Sequence, residues 1–252
     1  MRRSRAARHF WHNSLRMFFG EVPPGYIPIE RWAYRISVLA CMILCYMVPS
    51  RGQQKSVPTV SFTFDFPGSA PDHYVISVSD DGKATYDSDG KLSPESAPGD
   101  PFHSDFAVSK GTRTHIFDLA KRAQYFEGQV DAKNKKLAFT GTKTLTYEDA
   151  QKSTKATYNY SKMAPVEELT TFFQALSNTL EFGHRLDYYL RYQKLALDEE
   201  LKKMEELSNS GELREISAVA PVLQKIVDDP AVIKVVRARA QRLVQTAENG
   251  NR

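Results

Sequence analysis

The hydrophobic period of this chain changes near Met163, and that change limits its fold more than any other feature. Ahead of Met163 the pattern alternates. Val60, Phe62, Phe64 and Phe66 interleave with Ser61, Thr63 and Asp65, and Tyr74, Ile76 and Val78 with Val75, Ser77 and Ser79. A period of two sorts side chains onto the two faces of a strand. Asp80-Asp81-Gly82 predicts a hairpin turn into a strand over Lys83–Asp87. Residues 88–101 read as loop, and Phe106–Val108 as a short strand. A helix is expected from Thr112 to Phe126, capped by Ser109 or Thr112 and stopped by Gly128. Leu137–Phe139, Thr144–Tyr147 and Ala156–Tyr160 read as further strands, the last two as a hairpin.

After Met163, Leu, Glu, Lys and Ala dominate and the period becomes helical. Pro165 suits a first turn, and Leu169, Phe172, Phe173, Leu176 and Leu180 form one stripe. Gly183 reads as a break before a second helix, Arg185 to Ser208. On that helix Leu186, Leu190, Leu197, Leu201 and Met204 fall within an arc of roughly 60°, the width of a helix-pair seam. Glu212 to Val227 reads as a third helix interrupted at Pro221, and Asp229-Pro230 as cap and first turn of a last helix. The expected fold is α+β: an antiparallel sheet with one inserted helix over 57–162, followed by about four helices over 163–252.

Topology is set by a second feature. Ile36 to Val48 is an uncharged apolar run containing both cysteines, Cys41 and Cys45. Arg31 and Arg35 precede it, and Pro49-Ser50 follows. Such a run is short for a spanning helix and has the length of a signal-peptide core. Residues 1–35 are long for what precedes a signal, so a mis-assigned start followed by cleavage competes with an uncleaved single-pass anchor. Either way residues 36–50 divide a basic leader from the rest. The first 50 residues hold seven arginines against Glu21 and Glu30. The remainder holds 27 basic and 28 acidic residues, so no general nucleic-acid surface is expected. The positive-inside rule places the leader in the cytoplasm and the remainder outside, in the periplasm or extracellular space. That part has no cysteine for a disulfide, a thiolate nucleophile or a cysteine-ligated metal.

No motif points to a reaction. His73, His103, His115 and His184 form no His-x-x-x-His or His-x-Glu pair. Asp80-Asp81-Gly82 and Asp87-Ser88-Asp89-Gly90 lack the EF-hand spacing and read as turns. Ser88-Asp89-Gly90-Lys91 has the letters of Ser-x-x-Lys, but Asp-Gly breaks the helix that motif needs. Gly141-Thr142-Lys143-Thr144 lacks the upstream glycine of a phosphate loop. The densest aromatic and basic cluster is Arg185, Tyr188, Tyr189, Arg191 and Tyr192, with Lys194 beyond it. Stacking and cation–π contacts make these five the candidate binding residues for a ring-bearing ligand, a glycan or a protein. Lys234, Arg237, Arg239 and Arg242 on the last helix read as a solvated face rather than a patch for an anionic surface.

These features predict an exported or membrane-anchored protein of the cell envelope, acting as a non-catalytic binding or scaffold module. No cofactor, metal or catalytic residue is expected. The partner would be an envelope protein or a glycan, with the membrane reached through residues 36–48 if the run is uncleaved. Two other readings are a hydrolase using Asp and His of the 72–105 loops, and self-association through the Leu186–Met204 stripe.

Overall fold

The computed structural model describes residues 57–93, 101–134 and 136–250, and the leader and apolar run, 1–50, lie outside them. Six strands form one antiparallel sheet: β1 (Thr59–Asp65), β2 (His73–Ser79), β3 (Lys83–Ser88), β4 (Phe102–Ala107), β5 (Thr142–Glu148) and β6 (Ser153–Tyr158). Their spatial order is β4-β3-β2-β1-β5-β6. The alternation in sequence becomes two different faces. Phe62 lies between Ile76 and Leu145, and Val60 between Val78 and Tyr147. All of these are buried on the inner face. The outer face carries small hydroxyls that pair across strands, Ser61 with Ser77 (2.9 Å) and Thr144 with Thr157 (3.0 Å).

The inserted helix α1 (Lys110–Arg122) joins β4 to β5. Ser109 caps it, its Oγ accepting from the Thr112 amide (3.2 Å). Glu215, far along the chain, accepts from the Ser109 amide and hydroxyl (3.2 and 2.7 Å) and so adds negative charge at the same helix start. The helix ends sooner than expected. A turn over Gln124–Phe126 follows, with positive φ at all three residues, burying Phe126 and laying Tyr125 on Tyr147 (4.4 Å between rings). Leu137 and Phe139, expected in a strand, belong to none and are exposed. Phe139 rests edge-on against Phe66.

Four helices complete the chain: α2 (Ala164–Tyr192), α3 (Leu197–Asn209), α4 (Ala220–Asp228) and α5 (Lys234–Gly250). The 29-residue α2 is roughly 43 Å long and crosses the inner face of the sheet. Its contacts run from β6, where Thr170 bonds Tyr158, through Phe173 stacked on Phe62 (5.4 Å, 3°), to β3 at Glu181. Sheet and helices share one apolar core, and Lys55–Arg252 form one compact unit.

Gly183 does not break this helix. A Cβ there would lie 2.5 Å from Val219 Cγ1, so the glycine admits the short turn Ile216–Val219 against α2. The helix instead ends at Gln193 (φ −144°, ψ 58°), which divides the expected Arg185–Ser208 helix into the end of α2, a turn over Lys194–Ala196, and α3. Pro221 opens α4 in its first turn rather than interrupting a longer helix. Asp229-Pro230 forms a turn, with Asp229 accepting from the Ala231 amide (2.8 Å), and α5 starts four residues beyond Pro230.

Candidate functional site

Where α2 passes the end of β3, a polar group sits inside the core. Glu181 is 3 % exposed in mid-helix. Its Oε1 accepts from the Tyr86 hydroxyl (2.7 Å) and the Ser88 hydroxyl (2.9 Å). With the Tyr86 proton committed to Glu181, Ser177 donates to Tyr86 (3.1 Å). His184 Nδ1 stands 3.4 Å from Glu181 Oε2, and its ring stacks on Phe102 (4.1 Å, 4°). Burial, and then the Glu181 charge, push the Tyr86 hydroxyl far above the usual tyrosine range, so it stays a donor.

Glu181 also lines a cleft of about 450 Å³. Ala70, Leu92 and Ser93 bound it on the sheet side, and Glu200, Lys203 and Leu207 of α3 on the other. Arg185 crosses it, bonding Glu200 (2.6 Å) while its guanidinium lies over the Phe182 ring (4.6 Å). Tyr189 closes one end. Below the sheet-side rim, Asp72 accepts from Lys91 Nζ (3.0 Å), a bond that holds the Asp72 carboxyl below its ordinary range. Asp89 accepts from the Asp72 amide (2.9 Å), which ties the two loops together.

A second cleft, about 480 Å³, continues along the same helix between His115 of α1 and the Gly211–Arg214 turn. Asn178 lines both clefts. Leu207 borders one and Gly211 the other, so the α3 wall runs on past the junction. The floor is a stripe of α2 at helical spacing, Glu168, Thr171, Ala175, Asn178, Phe182, Arg185 and Tyr189. The two clefts are one groove, roughly 30 Å along the helix. Phe172 and Phe182 are buried in it, so the groove offers amide, hydroxyl and charged groups more than free ring faces.

The five residues of the sequence cluster divide between the groove and the end of α2, linked by Tyr188, whose ring meets Tyr189 (5.9 Å) as well as Tyr192. Arg185 and Tyr189 enter the groove. Arg191 pairs with Asp187, and Tyr192 is 70 % exposed with Tyr188 against it (5.1 Å). Glu181, Asn178 and His184 were missed. The available signal was a period on α2: Val166, Thr170, Phe173, Ser177 and Glu181 continue one face, facing strands whose inner positions include Tyr86 and Ser88. A core tyrosine calls for a polar partner on the opposing element.

His73 and His103, expected on loops, lie on strands β2 and β4 and stand apart from this groove. His73 pairs with Asp65 (2.6 Å), and His103 with Asp87 (2.7 Å) and Asp105 (3.4 Å), in two separate half-exposed groups on the outer face. Lys143 is enclosed by neutral oxygens of Thr140, Gly141 and Asn159 (3.0 to 3.4 Å), and burial lowers its pKa. The Leu186–Met204 stripe is largely spent within the chain, with Leu186, Leu197, Leu201 and Met204 fully buried. Among the described residues, no group of three or more His, Cys, Asp or Glu side chains is arranged to hold a metal ion, and no helix is long and apolar enough to cross a membrane. Comparison with protein families and with curated proteins finds no match to this chain.

Proposed function

We propose that the chain is an exported or membrane-anchored protein of the cell envelope, acting as a non-catalytic binding module whose ligand lies along the α2 groove. The observation that carries the binding part is that two clefts sharing Asn178 follow one face of α2. The groove suits an elongated ligand with both donors and acceptors, of which a protein segment or a glycan strand of the envelope is the natural source. Glu181 borders the groove from the sheet side, its carboxylate held by Tyr86 and Ser88. Arg185 and Glu200 add a paired cation and anion that a ligand can engage without stranding either charge. The export part rests on the apolar run Ile36–Val48 and the arginine-rich leader before it.

Each part has its own test. The full-length chain, used as bait on solubilised membranes, should retain a partner. Asn178→Trp, a filling change at an exposed position, should weaken capture by about tenfold while the thermal midpoint stays put. Capture unchanged by Asn178→Trp sinks the groove assignment. A phosphatase reporter active only outside the cytoplasm should work when fused after residue 56 and fail when fused after residue 30. The reverse pattern sinks the export assignment.

A further inference from the structure

We propose that the end of the helical layer opposite the sheet, formed by the turn after α2 and the start of α5, docks onto an anionic lipid surface. Four large apolar side chains project there: Tyr192 (70 % exposed), Leu195 (93 %), Ile233 (59 %) and Val235 (52 %). Ion pairs hold their segments side by side. Lys194 Nζ bonds Asp229 (2.6 Å), tying the turn after α2 to the turn before α5. Arg239 of α5 bonds Asp198 (3.0 Å) and Glu205 (2.9 Å) of α3, and Arg242 bonds Glu205 (2.7 Å), so α5 is tied along α3. Leu195 precedes Asp198 by three residues and Val235 precedes Arg239 by four, which places both one turn back from the same ion pair.

Charge identifies the occupant. Arg191, Lys194, Lys225, Lys234 and Arg237 stand near the four apolar side chains against Asp187, Glu199, Asp228 and Asp229; Arg191 and Lys225 share Asp187 and Lys194 holds Asp229, so the positive excess lies at Lys234 and Arg237. The last helix divides accordingly. Arg239 and Arg242 are spent on the carboxylates of α3, whereas Lys234 and Arg237 remain beside Ile233 and Val235. Aliphatic side chains that project singly beside basic ones match the boundary between acyl chains and anionic headgroups. A patch of four projecting side chains is small beside a standard protein interface, whereas a bilayer admits each side chain on its own. The site is separate from the groove and acts whether or not the apolar run is retained.

Lys55–Arg252 form one compact unit, so a chain starting at Lys55 carries the described core without the apolar run. That chain should float with vesicles of phosphatidylcholine plus phosphatidylglycerol and stay behind with phosphatidylcholine alone. Leu195→Glu with Ile233→Glu should cut flotation by about tenfold, and Arg191→Glu with Lys234→Glu by a similar factor. All four positions are exposed, so unchanged thermal midpoints check that the fold is intact. Absence of flotation, equal flotation with both vesicle types, or flotation indifferent to Leu195→Glu with Ile233→Glu overturns the proposal. So does a wild-type dimer that the same double variant makes monomeric, which would assign the patch to a second copy.

Discussion

The two parts of α2 obey different rules. From Ala164 to Leu180 the helix lies on the sheet through Val166, Leu169, Phe173 and Leu176 and turns Glu168, Thr171 and Asn178 toward the groove. From Glu181 to Tyr192 it passes the strand ends and carries a buried carboxylate, a cation–anion pair and projecting aromatics. The first part is held by burial, which any close-packed apolar residue of the right shape supplies. The second is held by specific polar partners, each of which limits what its neighbours can be. One continuous helix thus joins a part whose buried face is apolar to a part whose buried face carries a charge.

The strongest way to break the contrast is to truncate one residue in each part. Phe173 is fully buried and stacks on Phe62, so Phe173→Ala should destabilise by about 3–5 kcal/mol. Tyr192→Ala should stay within about 0.5 kcal/mol, since that ring is largely in water. Denaturant midpoints at constant slope measure both. A large loss from Tyr192→Ala would mean the overhanging end is also core.

The next effect separates a polar network from apolar packing. Glu181→Leu leaves the Tyr86 and Ser88 hydroxyls without their acceptor, at a cost of about 1–3 kcal/mol for each stranded group. Adding Tyr86→Phe and Ser88→Ala to Glu181→Leu should recover most of that loss, because all the partners then leave together. If the triple variant is no more stable than Glu181→Leu, the carboxylate stabilises through something other than these bonds.

The sheet was legible because alternation reports burial directly. Val60, Phe62 and Phe64 face inward as their spacing requires, and the Asp80-Asp81-Gly82 turn follows from local chemistry, Asp81 accepting from the Lys83 amide. Leu137–Phe139 misled because two large apolar residues in three carry no period, and only the fold shows them left outside. Gly183 misled for the opposite reason. Its propensity argues for an end, and only a distant segment, Val219, explains why the helix continues. The site was half legible for the same cause. Aromatic and basic density located Arg185 and Tyr189, but the groove depends on α3, the Gly211–Arg214 turn and the sheet-side loops, which converge only in the folded chain.

Gly183 marks the boundary between the two parts, and its substitution sharpens the comparison. Alanine there gains about 1 kcal/mol of helix propensity. Against that, the new Cβ meets Val219 Cγ1 at 2.5 Å, and overpacking of this kind costs about 1–3 kcal/mol. Gly183→Ala should therefore be destabilising by about 1 kcal/mol in the native background, net of the propensity gain. In a Val219→Ala background the 2.5 Å contact is removed and a 3.1 Å approach to the remaining Cβ is left, so the same change should cost clearly less than in the native background. A double-mutant cycle with no coupling between the two positions would show that α2 and the Ile216–Val219 turn do not approach as closely as described.

The smallest effect compares the two sides of β4. Phe102 faces inward and carries the stacked His184, whereas His103 faces outward between Asp87 and Asp105. Hydrogen bonds donated to Asp87 and then to Asp105 raise the His103 pKa above the ordinary histidine value. A raised folded-state pKa means protonation favours the folded chain. The contribution is complete below the unfolded value near 6.5 and disappears as the pH climbs through the raised folded value. The pairs are exposed, so salt should weaken the effect. Proton NMR of the His103 ring should show titration above the ordinary histidine range, with Asp87→Asn moving it down. A His103 titration indifferent to Asp87→Asn would mean that the outer face makes no fixed polar contacts here, and the contrast between the faces of this strand would then lie in packing alone.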